Sequence, residues 1–228
     1  MDGEVERINM NKEYENKEII DNADRMAKEI IDTKRTNHHR DKFFPMLIDK
    51  MDLKVGVEIG VDVGDFSKHI LSKTKMDMYY CIDTWQDNFG SDCIKVSFDK
   101  DGNARMEQAC NTLAEYINNK RAILLRGTSL EASKGFAEET IDFCYIDGDH
   151  SLFGIYEDLH AWVPKIRLGG ICSGHDWKDG KKSGMKDYFG DQLDYKIKMV
   201  TENFCKKNGY ALRTVGGSIL SWYFIKNR

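Results

Sequence analysis

The chain has 228 residues, enough for one large domain or for one domain with an appendage. Charged residues make up 32% and hydrophobic ones 41%, the balance of an ordinary globular protein, and the net charge of −4 argues against nucleic-acid binding by bulk positive charge. No apolar run approaches the ~20 residues of a membrane-spanning helix, and the first residues are charged rather than signal-like, so neither nucleic acid nor membrane is expected as a partner.

Residues 1–40 are rich in both signs of charge. They carry a weak apolar stripe at helical spacing through Ile19, Ile20, Ala23, Met26, Ala27, Ile30 and Ile31. A helical extension or lid over 1–44 is expected, packed on a domain over 45–228; the stripe could also join two subunits as a homodimer. Phe43, Phe44, Met46, Leu47 and Ile48 read as a short helix leading into that domain. From residue 55 strands and helices alternate. A strand over 55–59 runs through Glu58, Gly60 and Gly64 into a helix over about 65–73. A strand over 78–82 ends on Asp83, and a polar loop over 86–103 leads to a helix over about 104–119. A strand over 122–126 meets Gly127-Thr128-Ser129 and a short helix. A strand over 141–146 ends on Asp147-Gly148-Asp149-His150, before a helix over 153–164 closed by Pro164. A strand over 170–173 ends on Gly174-His175-Asp176, and Lys178–Lys186 reads as a solvated loop placed to gate a substrate or touch an anion. A helix over about 192–208 precedes strands over 210–214 and 219–225. This alternation implies an α/β fold, a doubly wound, mostly parallel seven-stranded sheet with one antiparallel strand at an edge. Six cysteines are scattered without a C-x-x-C pair; Cys81, Cys144 and Cys172 fall in expected strands, which implies reduced, buried thiols and a cytoplasmic setting.

In such a sheet the ligand sits beyond the carboxyl ends of the strands. The turn after the first strand reads Glu-x-Gly-x-x-x-Gly rather than the Gly-x-Gly-x-x-Gly of dinucleotide sites. A carboxylate at position 58 would repel a pyrophosphate and suits a ligand with an ammonium or sulfonium group, S-adenosylmethionine among them. Four of five successive strands end at this edge in acids: Glu58, Asp83, Asp147 with Asp149 and His150, and His175 with Asp176. Asp83 follows Glu58 by 25 residues, near the separation at which a carboxylate accepts ribose hydroxyls; strand-end turn chemistry is the alternative. Asp147, His175 and Asp176 offer an oxygen-rich set suited to Mg²⁺ or Mn²⁺, unless the acids cap helices. His150 or Asp149 could act as general base. Trp85 and Phe89 could lie along an adenine or a substrate.

Assembled, these residues make the chain resemble the class I S-adenosylmethionine-dependent methyltransferases, over about residues 45–226. The marks are Glu58–Gly64, Ile82-Asp83-Thr84-Trp85, Gly127-Thr128-Ser129, Tyr145–Ser151, Asp158-Leu159, Gly169-Gly170 and Gly174-His175-Asp176. Within that class it looks most like small metal-dependent O-methyltransferases of sugars and natural products, which are related to catechol-type enzymes. The resemblance implies that Glu58, Gly60 and Gly64 shape the methionine end of the cofactor site, that Asp83 accepts the ribose hydroxyls, and that Ser129 lies near the adenine. It implies Asp147 as both pocket wall and metal ligand. His175-Asp176 stands where metal-dependent relatives carry Asp-Asp or Asp-Asn, which puts the identity of the metal in question.

Methyl transfer from a sulfonium is an in-line displacement, so alignment of an acceptor hydroxyl supplies most of the rate gain. The implied acceptor is a hydroxyl of a sugar, a glycan or a related small molecule. A nicotinamide oxidoreductase would share the fold but lacks the glycine spacing here. A metal-assisted hydrolase would leave Glu58 and Asp83 without a purpose. The remaining alternatives are a catechol or phenol acceptor and a non-enzymatic nucleoside-binding module.

Overall fold

The computed structural model describes residues 2–32, 39–86, 103–186, 192–216 and 220–228, with side chains for 15–30, 39–86, 103–180, 194–216 and 220–228. The expected loop over 86–103, including Phe89 and Cys93, lies almost wholly outside them. Helices α1 (Asp2–Asp32) and α2 (Arg40–Lys50) precede strand β1 (Val55–Ile59), helix α3 (Asp65–Lys73) and strand β2 (Met78–Asp83). Then come α4 (Asn103–Thr112), α5 (Ala114–Asn118), β3 (Ala122–Arg126), α6 (Ser129–Ser133), β4 (Ile141–Ile146) and α7 (Leu152–Trp162). The chain ends with β5 (Ile166–Gly174), β6 (Asp179–Lys186), β7 (Gln192–Lys196), α8 (Ile197–Asn208), β8 (Arg213–Gly216) and β9 (Leu220–Ile225).

Seven strands form one sheet in the order β3-β2-β1-β4-β5-β9-β8. β1 to β5 are parallel, and β9 runs antiparallel to both β5 and β8. The expected seven-stranded, mostly parallel sheet with an N-terminal helix is therefore present. Its order reverses between β1 and β4, and that reversal opens the crevice where doubly wound sheets take ligands.

Both faces are covered. Ala23, Ala27 and Ile30 of α1 and Phe43, Phe44, Leu47 and Ile48 of α2 pack with Tyr79, Phe143, Tyr145 and Tyr223 on one face. Ile155, Leu159 and Trp162 of α7 and Ile197, Val200 and Cys205 of α8 pack with Val57, Cys144, Cys172 and Trp222 on the other. Ile19 of the expected stripe is exposed. Cys81, Cys144 and Cys172 are buried free thiols in β2, β4 and β5.

Local chemistry explains the helix ends. Pro45 lies inside α2 and has no N–H for the Asp41 carbonyl four residues back; His69 Nε2 meets that carbonyl at 2.6 Å instead. Ser151 Oγ caps α7 by accepting from Gly154 N at 3.1 Å. At the base of the sheet, Asp142 accepts from Lys54 N at 2.6 Å and Val55 N at 2.8 Å, which fixes where β1 begins.

Four expectations change. The antiparallel strand expected at an edge is β9, which lies between β5 and the edge strand β8. The helix expected over 104–119 is broken at Leu113 into α4 and α5. The helix expected over 192–208 begins only at Ile197, because residues 192–196 pair with β6 as a separate antiparallel ribbon. The same pairing turns the expected Lys178–Lys186 loop into the strand β6. The pairing buries Tyr195 of β7, which stacks on His150 with ring centroids 5.1 Å apart.

Candidate active site

The turn after β1 is built for close approach. Gly60 has φ +84°, and a Cβ there would stand 2.2 Å from the Asp147 carbonyl oxygen. Only glycine lets the ends of β1 and β4 come together in this way. Gly64, at φ +85°, starts α3. Asp62 at the tip of the turn also has positive φ, +54°. It is held by Trp85 Nε1, which donates to its carbonyl at 2.8 Å, and by Arg105 Nε, which donates to its carboxylate at 2.7 Å. Asp83, at the end of β2, ties the turn to the next strand. Its Oδ2 accepts from Asp62 N and its Oδ1 from Trp85 N, both at 2.8 Å. A carboxylate can accept more than one hydrogen bond per oxygen, so Asp83 can also take ribose hydroxyls.

Glu58 lies below this turn, not on its surface. It is 2% exposed, and Ser67 Oγ donates to its Oε2 at 2.7 Å. Burial pushes its carboxyl up to about 8, with the Ser67 hydrogen bond opposing the rise and the charge of Asp147 adding to it. The sequence suggested a counter-charge facing the ligand. The structure instead puts an acid that is protonated at neutral pH under the turn.

Across the β1–β4 crevice, Asp147, His175 and Asp176 present ligand atoms that all lie within 4.8 Å of one another. His150, 8% exposed, sits between the acids: its Nε2 is 3.3 Å from Asp147 Oδ1 and 3.6 Å from Asp176 Oδ2. His175 Nδ1 is 3.7 Å from Asp147 Oδ2. Burial alone would raise the Asp147 carboxyl, but hydrogen bonds from His150 and His175 hold it well below the usual carboxylate range. Asp176 has φ +48°, a conformation that costs a non-glycine residue about 1 kcal/mol or more. Two carboxylates and an imidazole at this spacing fit a hard divalent cation. The same oxygens also have protein cations beside them: Arg40 Nη1 at 3.4 Å from Asp147 Oδ2 and Lys178 Nζ at 3.0 Å from Asp176 Oδ1.

The remaining expected residues sit to either side. Both oxygens of Asp149 accept from Ser151, from its N at 2.9 Å and its Oγ at 3.0 Å, which leaves Asp149 holding the entrance to α7. Ser129 Oγ donates to Asp158 Oδ1 and accepts from Trp162 Nε1 at 3.4 Å. Its only proton is thus committed, and toward an adenine it can only accept. Burial pushes the Asp158 carboxyl up to about 7.

Sequence reasoning missed Arg40 and Tyr195 as site residues, and expected Lys178 in a gating or anion-contacting loop rather than paired with Asp176. Arg40 is one of many charges in residues 1–44, and nothing in its local pattern sets it apart. Lys178 is two residues beyond Asp176, and Tyr195 reaches the site from β7, which pairs with β6. Lys178 Nζ lies 4.1 Å from the Tyr195 ring centroid, and Lys196 N donates to the His150 carbonyl at 3.2 Å.

A family model described as a methyltransferase domain matches residues 57–177, just over half of the chain. Nothing among curated proteins matches it. Solved structures similar to this one include a candidate caffeoyl-CoA O-methyltransferase from Staphylococcus aureus, with TM-score 0.58 and 15% identity, covering 81% of this chain and 82% of that one. A candidate O-methyltransferase from Klebsiella pneumoniae has TM-score 0.54 and 12% identity, covering 91% and 90%. An O-methyltransferase family protein from Burkholderia thailandensis has TM-score 0.54 and 8% identity, covering 93% and 70%. At these identities the likeness is one of fold.

Proposed function

This chain belongs to the methyltransferase-domain family, whose members use S-adenosylmethionine, and from that premise we propose that it methylates a hydroxyl oxygen of a sugar, a glycan or a related small molecule. The observation that carries this reading is the convergence of Asp147, His150, His175 and Asp176 beside the Gly60 turn, at the reversal of strand order.

The glycine turn receives the amino-acid end of the cofactor, and Asp83 accepts from its ribose. That arrangement directs the methyl toward the end of β4, where the acceptor oxygen must lie for in-line displacement. His150 keeps its Nε2 proton toward Asp147 and takes the hydroxyl proton at Nδ1, the second ring nitrogen. Asp147 and Asp176 both face Nε2, fix the tautomer and stabilise the cation the ring becomes. Tyr195 stacked on the ring excludes water and holds its plane. Asp149, with both oxygens on Ser151, holds the residue that caps α7 rather than acting as the base. Asp147, His175 and Asp176 would hold Mg²⁺ or Mn²⁺, whose Lewis acidity would make an aliphatic hydroxyl easier to deprotonate. Two oxygens of a vicinal diol suit such a site, which favours a sugar. A phenolic acceptor is the second reading. Phe153, 68% exposed at the start of α7 and three residues from His150, offers it an aromatic surface.

The test is a screen of monosaccharide and phenolic acceptors with labelled cofactor, run with Mg²⁺ and again with EDTA. Transfer to a sugar that chelation abolishes is the expected result. Phenol-only transfer, or transfer indifferent to EDTA, would overturn the acceptor or the metal assignment respectively.

A further inference from the structure

Arg40 is the first residue of α2, and its side chain leaves the N-terminal helices to reach the crevice between β1 and β4. Its Nη1 donates to the Tyr145 hydroxyl at 3.0 Å and lies 3.4 Å from Asp147 Oδ2. Its guanidinium carbon stands 4.9 Å from the centroid of the Phe66 ring, on the first turn of α3. These contacts fix the plane of the guanidinium at the glycine-turn end of the site, away from the Asp83 and Ser129 end.

That end carries the charged carboxylate of Asp147, with Arg40 beside it. The amino-acid head of S-adenosylmethionine brings a carboxylate as well as an ammonium group. Beside Asp147 that carboxylate would meet like charge unless a cation stood with it. We infer that Arg40 binds the cofactor's carboxylate, so that an N-terminal helix completes the cofactor site. The inference rests on the methyltransferase reading above. A planar guanidinium already oriented by an aromatic face and a tyrosine hydroxyl can offer a carboxylate two parallel N–H donors with little further ordering. Phe66 and Tyr145 also pack against each other, tilted by 33° with centroids 4.2 Å apart, so the support for Arg40 is itself part of the packed core. The ammonium group is left to the Asp147 side, where negative charge is retained.

Calorimetry on the full chain tests this with two probes: S-adenosylhomocysteine, and 5′-methylthioadenosine, which keeps the nucleoside and sulfur but lacks the amino-acid head. R40Q is expected to weaken S-adenosylhomocysteine binding by about 10- to 100-fold, the worth of a charge-assisted pair. It should leave 5′-methylthioadenosine binding within about 3-fold of the parent, a margin below one charge-assisted bond, and R40K should recover part of the loss. Equal weakening of both ligands would mean that Arg40 only supports the fold, and unchanged S-adenosylhomocysteine affinity would mean that the carboxylate is held elsewhere; either result overturns the inference alone. Parent protein that binds neither ligand would overturn the cofactor reading, and the role of Arg40 with it.

Discussion

Replacing Glu58 with Gln isolates a buried acid whose charge state differs between the folded and unfolded chain. In the folded protein burial pushes its carboxyl from 4.5 up to about 8. The raised value means that the native state holds the proton more tightly, so the stability it contributes is fully present below about pH 4.5 and is lost as pH rises through about 8. Each pH unit between those two values is worth about 1.4 kcal/mol, so the whole window spans at most roughly 5 kcal/mol. Relaxation of the site at high pH will reduce that figure. Gln fills the same space, still accepts from Ser67 Oγ and does not titrate. The stability of E58Q relative to the parent should therefore be flat below pH 5 and improve by about 2 kcal/mol or more between pH 5 and pH 8.5, with linkage setting its direction. For a domain of this size that is a relative gain of about 4–8 °C in melting temperature. Urea denaturation and thermal melts at pH 5, 7 and 8.5 measure it directly. Asp158, raised to about 7, titrates in both proteins and cancels in the difference. A stability difference that did not move with pH, or that moved against the variant as pH rose, would refute a protonated Glu58 beneath the turn.

Gly60→Ala should be among the most damaging single changes. Positive φ and a Cβ 2.2 Å from backbone oxygen combine there, and a loss of about 3 kcal/mol or more should appear as a melting point lower by at least ~6 °C. H150Q should lower kcat by about 100-fold or more while S-adenosylhomocysteine affinity is kept; turnover within a few-fold of the parent would remove His150 from the chemistry. K178A takes away the ammonium beside Asp176 Oδ1, and Mn²⁺ affinity measured by titration should rise by about 2- to 5-fold, the worth of a partly exposed ion pair. Unchanged or weaker Mn²⁺ binding would mean that Lys178 and the ion do not share that oxygen.

The fold was legible because its signals are local. Strand-length apolar runs ending in acids and glycines at regular intervals mark β1 to β5, and parallel strands buried on both faces show as continuous apolar runs. The sheet edge followed from topology, and with it the meeting of Asp147, His150, His175 and Asp176, with Asp83 two strands away at the same edge. What the sequence hid was orientation and pairing. Glu58 is adjacent to the turn in sequence, yet alternation along β1 sends its side chain into the core beside Ser67. Asp149 and His150 are neighbours, but one faces the helix cap and the other the carboxylates, and spacing alone does not distinguish them. The β6–β7 ribbon was misread because Gln192–Lys196 continues without a break into the helical pattern of α8, and the partner that makes it a strand is a glycine- and lysine-rich segment with little apolar character. Arg40 was out of reach for a different reason: about a hundred residues separate it from Tyr145 and Asp147.

The two elements that sequence left undefined stand at opposite sides of the same cluster, and this bears on how the site works. Arg40 reaches Asp147 from the N-terminal helices, while Lys178 reaches Asp176 and Tyr195 covers His150 from the ribbon. Each carboxylate thus has one protein cation from an appendage and shares the two imidazoles, His150 and His175, with the other. A ligand that draws Arg40 toward its own carboxylate removes positive charge from Asp147 and leaves that acid more available to a cation or to His150. In this arrangement cofactor binding strengthens the acceptor half of the site through a carboxylate common to both. It follows that S-adenosylhomocysteine should tighten Mn²⁺ binding in the parent protein and that this coupling should be lost in R40Q. By thermodynamic reciprocity Mn²⁺ should tighten S-adenosylhomocysteine by the same factor. Titrating each ligand in the presence and absence of the other measures the coupling from both directions; independent binding in the parent would show that Arg40 does not link the two halves.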